Sequence, residues 1–303
     1  MKILITGSSG MLGTDLCKAL AKDHDIAGVD INVPPVKVHA FHSASVIDAD
    51  EIGRIMEGEK PDLVIHAAAW TDVDGCERDP EKAEAVNVKG TRNIVNAAAG
   101  RNIPVMFIST DFVFDGNKRE PYMEDDDPCP VSVYGRTKYE AEEVVKSGSS
   151  AYAIVRTSWL FGRNGRNFVD TILSKAASGE RLRVVNDQTG SPTYTKDLSA
   201  ALAGFLCSGR VPGRDIFHVS NSGRCSWYEF AEYITGYKGF KEAVIEKVAS
   251  DELARPAKRP CFSVLDNGKF SRATGYIMRP WKEALEEYLG GVGSWESRVD
   301  RGG

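Results

Sequence analysis

Apolar positions along the first half of the chain fall into two rhythms. Short apolar runs at 2–6, 25–29, 37–46, 61–69, 104–111 and 151–156 have the length and β-branched content of strands. Between them, apolar residues recur every three or four positions, the period of a helix with one buried face. Leu16, Ala19 and Leu20 do so after the first run, Val86, Ile94, Val95 and Ala98 across 84–100, and a further helix begins near Tyr134. Asp48 or Asp50 suits a helix cap, and Thr71, Asp74 and Glu77 open a helix whose first turns carry acids that complement its dipole. Strand and helix alternate throughout this half, which predicts an α/β chain built on a doubly wound parallel sheet.

Past residue 160 the rhythm breaks into helix, loop and short strand. Residues 168–177, 197–206, 227–234 and 281–289 read as helices, 181–185 as a short strand before a loop at 188–193, and 216–220 as a strand that rejoins the main sheet. These pieces are too few to close a large core alone. They are expected to form a smaller lobe over the C-terminal edge of the sheet, with a ligand between the two.

The turn after the first strand reads Gly7-Ser8-Ser9-Gly10-Met11-Leu12-Gly13. Glycines at that spacing allow a sharp turn, let a pyrophosphate approach the backbone and let the helix pack on the sheet, while free N–H groups at the helix start attract phosphate charge. The second run ends in Asp30, about 20 residues further on, where a carboxylate accepts hydrogen bonds from an adenosine ribose and repels a 2′-phosphate. The alternative for Asp30 is a strand end that starts a turn, in keeping with Asn32, Pro34 and Pro35 after it. Ser45 and Val46 would end the third run beside the adenine, and small residues close the fourth, up to Ala69, leaving room for a flat ligand. Asn87 faces either that ligand or solvent. The expected division is a Rossmann-type dinucleotide-binding domain over 1–162, with 193–222 returning to it, a substrate-binding lobe from 163–192 and 223–290, and a glycine-rich flexible tail over 291–303.

Tyr134 and Lys138 lie four residues apart, one helical turn along one face. A phenol titrates near pH 10 unaided, and a fixed positive charge about 4 to 6 Å away favours the phenolate, which suits a proton donor and its tuner. The same spacing serves solubility or packing on an ordinary helix, so the pair takes its meaning from the strands that deliver a ligand to it. Thr110 closes the fifth strand with a hydroxyl, and 114–133, rich in Gly, Pro and Asp, is a loop that can fold back over the site. Arg163, Arg166, Arg255 and Arg259 are candidates for a diphosphate or members of a solvated basic surface.

Composition narrows the partners. The 303 residues are 42 % hydrophobic and 27 % charged with a net charge of −5, and no basic run tracks a nucleic acid. No apolar run reaches about 18 residues, and the N-terminal run breaks at Gly7 without a signal-peptide core, so no membrane partner and a cytoplasmic location are expected. Six cysteines without a C-x-x-C read as free, mostly buried thiols in a reducing compartment. Of five histidines only His39 and His42 lie close together, so no metal is expected.

Several stretches together carry a family resemblance: Gly7-x-x-Gly10-x-x-Gly13, His66 to Ala69 with Thr71, Val73, Asp74 and Glu77, Ser109-Thr110-Asp111-Phe112-Val113-Phe114-Asp115-Gly116, Tyr134 with Lys138, and Arg156 to Trp159. They resemble the extended short-chain dehydrogenases/reductases and, more narrowly, the dTDP-4-dehydrorhamnose reductases, a similarity that continues through 186–193 and 259–266. The resemblance implies NAD(P)H-dependent reduction of the C4 ketone of a nucleotide-activated 4-keto-6-deoxy sugar. By it, Tyr134 is the proton donor, Lys138 grips the nicotinamide ribose and lowers the tyrosine pKa, Thr110 orients the carbonyl, and Asp111 and Trp159 contact the sugar. The pyrophosphate lies on Gly10, Met11 and Leu12, and Ala68, Ala69 and Thr71 line the cofactor cleft. Some relatives form magnesium-linked dimers; Asp15 lies in the right neighbourhood but no further acidic ligand can be placed, so a homodimer is admitted and a metal is not.

Two other functions suit the same fold. An epimerase or dehydratase of nucleotide sugars is one, against which Asp111 is followed by Phe112 and not by the glutamate usual in dehydratases. A non-catalytic regulatory subunit is the other, against which Thr110, Tyr134 and Lys138 are intact. Asp30 is followed by no Arg or Lys before Lys37, so NADH is expected to be preferred, with NADPH also accepted.

Overall fold

In the computed structural model, which describes residues 1–207, 212–240 and 242–291, strand and helix alternate from the first residues. The order is β1 (Lys2–Thr6), α1 (Met11–Leu20), β2 (Asp25–Asp30), β3 (Ala40–Ser43), α2 (Ala49–Glu59), β4 (Leu63–His66), α3 (Val73–Arg78), α4 (Pro80–Ala83), α5 (Gly90–Ala99), β5 (Val105–Thr110), α6 (Val133–Gly148) and β6 (Tyr152–Thr157). The second half adds β7 (Leu160–Phe161), α7 (Phe168–Ala177), β8 (Leu182–Val185), β9 (Thr189–Gly190), β10 (Thr193–Tyr194), α8 (Thr195–Cys207), β11 (Arg214–His218), β12 (Cys225–Ser226), α9 (Trp227–Tyr237), β13 (Ile245–Val248), α10 (Gly268–Thr274) and α11 (Trp281–Gly290).

Seven strands form one parallel sheet of order β11-β6-β5-β4-β1-β2-β3. The order reverses between β1 and β4, and a crevice for a ligand opens there at the carboxyl ends of the strands. Successive side chains of a strand point to opposite faces, and here both faces are covered. Ile3 and Ile5 pack with Leu16 of α1 and with Leu198 and Leu202 of α8, while Leu4, between them, packs with Ile52 of α2 and Ile94 of α5. This is why the strands read as unbroken apolar runs. A separate core joins Ile172 and Leu173 of α7, Phe230 and Ile234 of α9, and Leu285 and Tyr288 of α11.

Several sequence expectations are corrected here. The third strand covers only Ala40–Ser43, because it pairs with β2 alone and only over Ala27 to Asp30. The helix expected over 84–100 is wound as a π-turn at Glu84–Lys89 before α5 begins. Thr71 precedes its helix; Asp72 caps it, accepting from the Gly75 N–H at 2.9 Å. Asp48 and not Asp50 caps α2, through the Glu51 N–H at 2.9 Å. Cys17, Cys76 and Cys225 are buried but Cys129, Cys207 and Cys261 are exposed. Of the tail expected over 291–303, residues 292–303 lie outside the described residues.

Candidate active site

The site begins with the turn from β1 into α1. Gly7 adopts φ +69°, open to glycine, and a Cβ on Gly13 would fall 1.9 Å from the Gly7 carbonyl oxygen, so helix and turn touch backbone to backbone. The result is a cradle of bare backbone, with Gly10 N–H donating to the Gly7 oxygen at 3.1 Å. Asp30, at the end of β2, is held at its lip: Oδ2 accepts from Ser9 N–H and Oδ1 from Asn32 N–H, both at 3.0 Å.

A chain of hydrogen bonds supports the floor at Ala68 and Ala69. Ala68 N–H donates to Thr6 Oγ1 at 3.3 Å, Thr6 Oγ1 lies 2.6 Å from His66 Nδ1, His66 Nε2 lies 3.0 Å from Thr91 Oγ1, and Thr91 donates to the Asn87 carbonyl at 2.6 Å. Thr91 spends its proton on Asn87, so it accepts from His66, and the imidazole carries hydrogen on Nε2. Burial, with the Lys138 charge, pushes this histidine down to about 3 and keeps it neutral. Asn87 faces neither ligand nor solvent. It is buried, and its amide clamps Trp70, accepting from its N–H at 2.8 Å and donating to its carbonyl at 3.2 Å, while a second donation reaches Thr137 at 3.1 Å.

Helix α6 is anchored at its start by Ser132, whose hydroxyl accepts from Gly135 N–H at 3.2 Å, and by Glu77, which accepts from Val133 N–H at 3.0 Å. Tyr134 and Lys138 therefore sit in the first turns, side by side on the buried face. Lys138 Nζ donates to the Ile108 carbonyl at 2.7 Å and lies 4.0 Å from the Phe107 ring centroid. Burial pulls its ammonium down to about 7 against the opposing charge of Glu142. The Tyr134 phenol is pushed up beyond the ordinary tyrosine range by burial, drawn back by the Thr110 hydroxyl, and raised further by Asp111 and Cys76. Asp111 accepts from Thr110 Oγ1 on Oδ1 at 3.1 Å, and burial pushes its carboxyl up to about 7. Its Oδ2 makes no hydrogen bond of normal geometry, although the Ser263 hydroxyl is close enough to draw the carboxyl back.

Trp159 forms the opposite wall. Its backbone sits at φ +47°, left-handed and uncommon for a bulky residue. Its indole stacks on Trp227 with centroids 3.5 Å apart and planes 5° from parallel. Gly190 makes room for it, since a Cβ there would lie 2.4 Å from Trp159 Cε2.

One cleft of about 870 Å³ runs from the glycine turn to the Trp159 wall. Its walls include the glycine turn with Met11 and Leu12, Asp30, Ser45 and Val46, Ala68, Ala69 and Thr71, then Thr110, Asp111, Tyr134, Lys138 and Trp159. Arg166 and Arg255 also line it, and so does Arg259, but both Arg259 Nη atoms hold Asp74, at 3.0 and 2.7 Å. Arg163 donates to the Gly291 carbonyl at 2.7 Å and is not on the cleft wall. Asp15 ties α1 to α8 and to the loop before α7, accepting from Thr195 Oγ1 at 2.6 Å and Asn164 Nδ2 at 3.1 Å. Among the described residues no group of three or more His, Cys, Asp or Glu side chains is placed to hold a metal.

Comparison with known proteins bears on the same cleft. The family described as RmlD substrate binding domain matches residues 1–293. A dTDP-4-dehydrorhamnose reductase of Sinorhizobium fredii is 36 % identical over 300 residues, covering 95 % of this chain and 97 % of its own. The chain belongs to the dTDP-4-dehydrorhamnose reductase family. Among solved members, the Clostridium acetobutylicum dTDP-4-dehydrorhamnose reductase superposes with a TM-score of 0.87 at 37 % identity, over 96 % of this chain and 99 % of that one. The Bacillus anthracis dTDP-4-dehydrorhamnose reductase, solved in complex with NADP, gives 0.86 at 34 %, over 95 % and 98 %.

In this family member, two motifs that are distant in sequence prove to be partners: Asp74 from the stretch after β4 and Arg259 from the stretch before α10 form one bidentate ion pair. Sequence reasoning missed Trp227, His66 and Glu142. Trp227 carries no signal beyond its place inside the Ser226 to Glu229 capping box. Glu142 had one: Arg156, a lone charge at the end of an apolar run, requires a buried partner.

Proposed function

We propose that the protein reduces the C4 ketone of a nucleotide-activated 4-keto-6-deoxy sugar, converting dTDP-4-dehydrorhamnose to dTDP-L-rhamnose. The reaction class is that of the family, an NAD(P)H-dependent oxidoreductase. The observation that carries this reading is the convergence of Thr110, Tyr134 and Lys138 with the glycine cradle on one cleft. The cradle of bare backbone, with Asp30 at its lip, fits a dinucleotide, which when bound supplies the hydride.

The chain's own residues do the rest. Thr110 holds the ketone oxygen against Tyr134, whose O–H gives that oxygen its proton. Lys138, set by its bond to Ile108, would hold the ribose hydroxyls of the bound dinucleotide and offset the charge of the phenolate that remains. Asp111 Oδ2 and Thr157 Oγ1 are buried without partners in the cleft, and with Trp159 they are the groups assigned to the sugar hydroxyls. Gly7, Gly10, Met11, Leu12 and Gly13 form the pyrophosphate side, and Ser45, Val46, Ala68, Ala69 and Thr71 the adenine and nicotinamide flanks.

NADH is the preferred cofactor in this reading, with NADPH accepted. Asp30 would meet a 2′-phosphate, and Ile31 and Asn32 beside it on the cleft wall bring no cation. The B. anthracis relative solved with NADP supports tolerance of the second cofactor. The proposed division is a dinucleotide-binding domain of 1–162 with 193–222 and a substrate lobe of 163–192 with 223–290; the two cores follow it except that Phe270 and Met278 pack in the sheet core and Phe161 and Tyr194 in the lobe core. The protein works as a cytoplasmic enzyme, alone or as a homodimer, with a nucleotide sugar and neither nucleic acid nor membrane as partner. Among the described residues no helix is long and apolar enough to cross a membrane.

The test mixes the protein with NADH and dTDP-4-dehydrorhamnose and follows cofactor absorbance. One NADH consumed per dTDP-L-rhamnose formed is expected. Sugar conversion without net oxidation of NADH would make the protein an epimerase or dehydratase, and no conversion would leave it a binding subunit.

A further inference from the structure

Behind the reacting end of α6 runs a buried polar chain that the chemistry above does not use. Glu142, fully buried, lies two turns past Tyr134 and one past Lys138. Its Oε1 accepts from Ser109 Oγ at 2.6 Å and from Arg156 Nε at 2.9 Å, and its Oε2 accepts from Arg156 Nη2 at 2.7 Å. Arg156 is 1 % exposed, and its Nη1 reaches His218 Nε2 at 3.5 Å. The His218 Nδ1 faces the Tyr122 carbonyl at 3.0 Å, which only accepts, so Nε2 is the bare nitrogen that Arg156 meets.

Stability alone does not account for this pair, because a buried ion pair is often matched or bettered by apolar residues of similar volume. Its register suggests the role. Three consecutive residues of β5 meet three side chains on one face of α6: the Ile108 carbonyl takes Lys138, the Ser109 hydroxyl donates to Glu142, and the Thr110 hydroxyl influences Tyr134. A slide of α6 along β5 would break all three together.

We propose that Glu142, clamped by Ser109 and Arg156, is a positioning residue for the reduction, locking α6 in register on β5 and setting a counter-charge one turn beyond Lys138. The inference rests on the assignment of Tyr134 and Lys138 made above. The titratable groups that interact electrostatically with Lys138 are His66 from β4 and Glu142 from its own helix. His66 is held neutral, and Glu142 is the carboxylate whose charge raises Lys138 against the pull of burial.

Two variants test this. Ser109→Ala removes one hydrogen bond and is expected to fold, with kcat lower by about fivefold and KM for the cofactor unchanged; a kcat within about twofold of the parent overturns the register lock. Glu142→Leu with Arg156→Met removes both charges at similar volume. In it the alkaline limb of kcat moves to lower pH, so the ratio of kcat at about pH 8.5 to that at about pH 6.5 falls at least threefold below the parent's. Glu142→Asp, which keeps the charge, should retain the parent ratio. An unchanged ratio in the folded double variant overturns the proposal, and Ser109→Ala keeps it testable should that variant not fold. Tyr134→Phe is measured alongside: if it turns over normally, the catalytic assignment has failed, and not this inference.

Discussion

At the far end of the buried face of α6, Glu142 receives three hydrogen bonds, two from Arg156 and one from Ser109. At the near end, Tyr134 and Lys138 face a cleft in which Asp111 Oδ2 and Thr157 Oγ1 have no hydrogen-bond partner. Both ends are buried, and burial acts on each: at the near end it drives Lys138 down to about 7 and Asp111 up to about 7, and at the far end burial, with the Arg156 charge, drives His218 down to about 3 and keeps it neutral. A polar network satisfied from within makes a rigid support. One left unsatisfied keeps its capacity for a ligand and titrates where the enzyme works.

The strongest way to break this contrast is Tyr134→Phe, which removes one hydroxyl from the unsatisfied end. Turnover should fall by roughly 10² to 10⁴ while thermal stability and cofactor binding persist. Activity within a few-fold of the parent would remove Tyr134 from the mechanism.

The reciprocal change is Arg156→Ala at the satisfied end. It strands a buried carboxylate and should cost about 3 to 5 kcal/mol of stability, read from the denaturant midpoint. A loss below about 1 kcal/mol would show that water or a rearranged neighbour takes the place of the guanidinium.

Cofactor choice comes next in size. Asp30→Ala should narrow the NADH preference in kcat/KM about tenfold, the effect of about 1.4 kcal/mol of relieved repulsion. If the parent prefers NADPH, the carboxylate held by Ser9 and Asn32 does not oppose a 2′-phosphate.

The smallest effects appear in stability against pH, and they have opposite signs. Lys138 titrates at about 7 in the fold and near its ordinary 10.5 when unfolded, so between these values the unfolded chain binds more protons and stability rises with pH. Asp111 titrates at about 7 in the fold against 3.8, so between these values the native state binds more protons and stability falls as pH rises. Lys138→Met should flatten the first slope and Asp111→Asn the second, in urea unfolding across pH. Slopes that survive the substitutions would assign the titrations to other groups.

Much of this molecule is written locally. The glycines at 7, 10 and 13, the apolar runs that became β1, β2, β4, β5 and β6, and the one-turn spacing of Tyr134 and Lys138 are short-range features, each decided by a few neighbouring residues. They were enough to predict the parallel sheet and the glycine turn at its crevice, while Asp111 and Trp159 on the cleft wall came from the family resemblance. Weaker patterns misled where pairing overrides propensity: the third strand stops where β2 offers no further partner, and 84–100 takes in a π-turn that no periodicity announces.

What the sequence by itself determined is therefore the order of the elements and the side chains that reach the carboxyl ends of the strands. Only the tertiary structure decided how charges and rings distant along the chain are matched. Arg259 is taken by Asp74, Trp159 is braced between Gly190 and Trp227, and Glu142 meets Arg156 and Ser109 across two strands. Periodicity carries no information about such pairs, because they depend on where the folded path brings each residue and on the high cost of leaving a buried polar group alone.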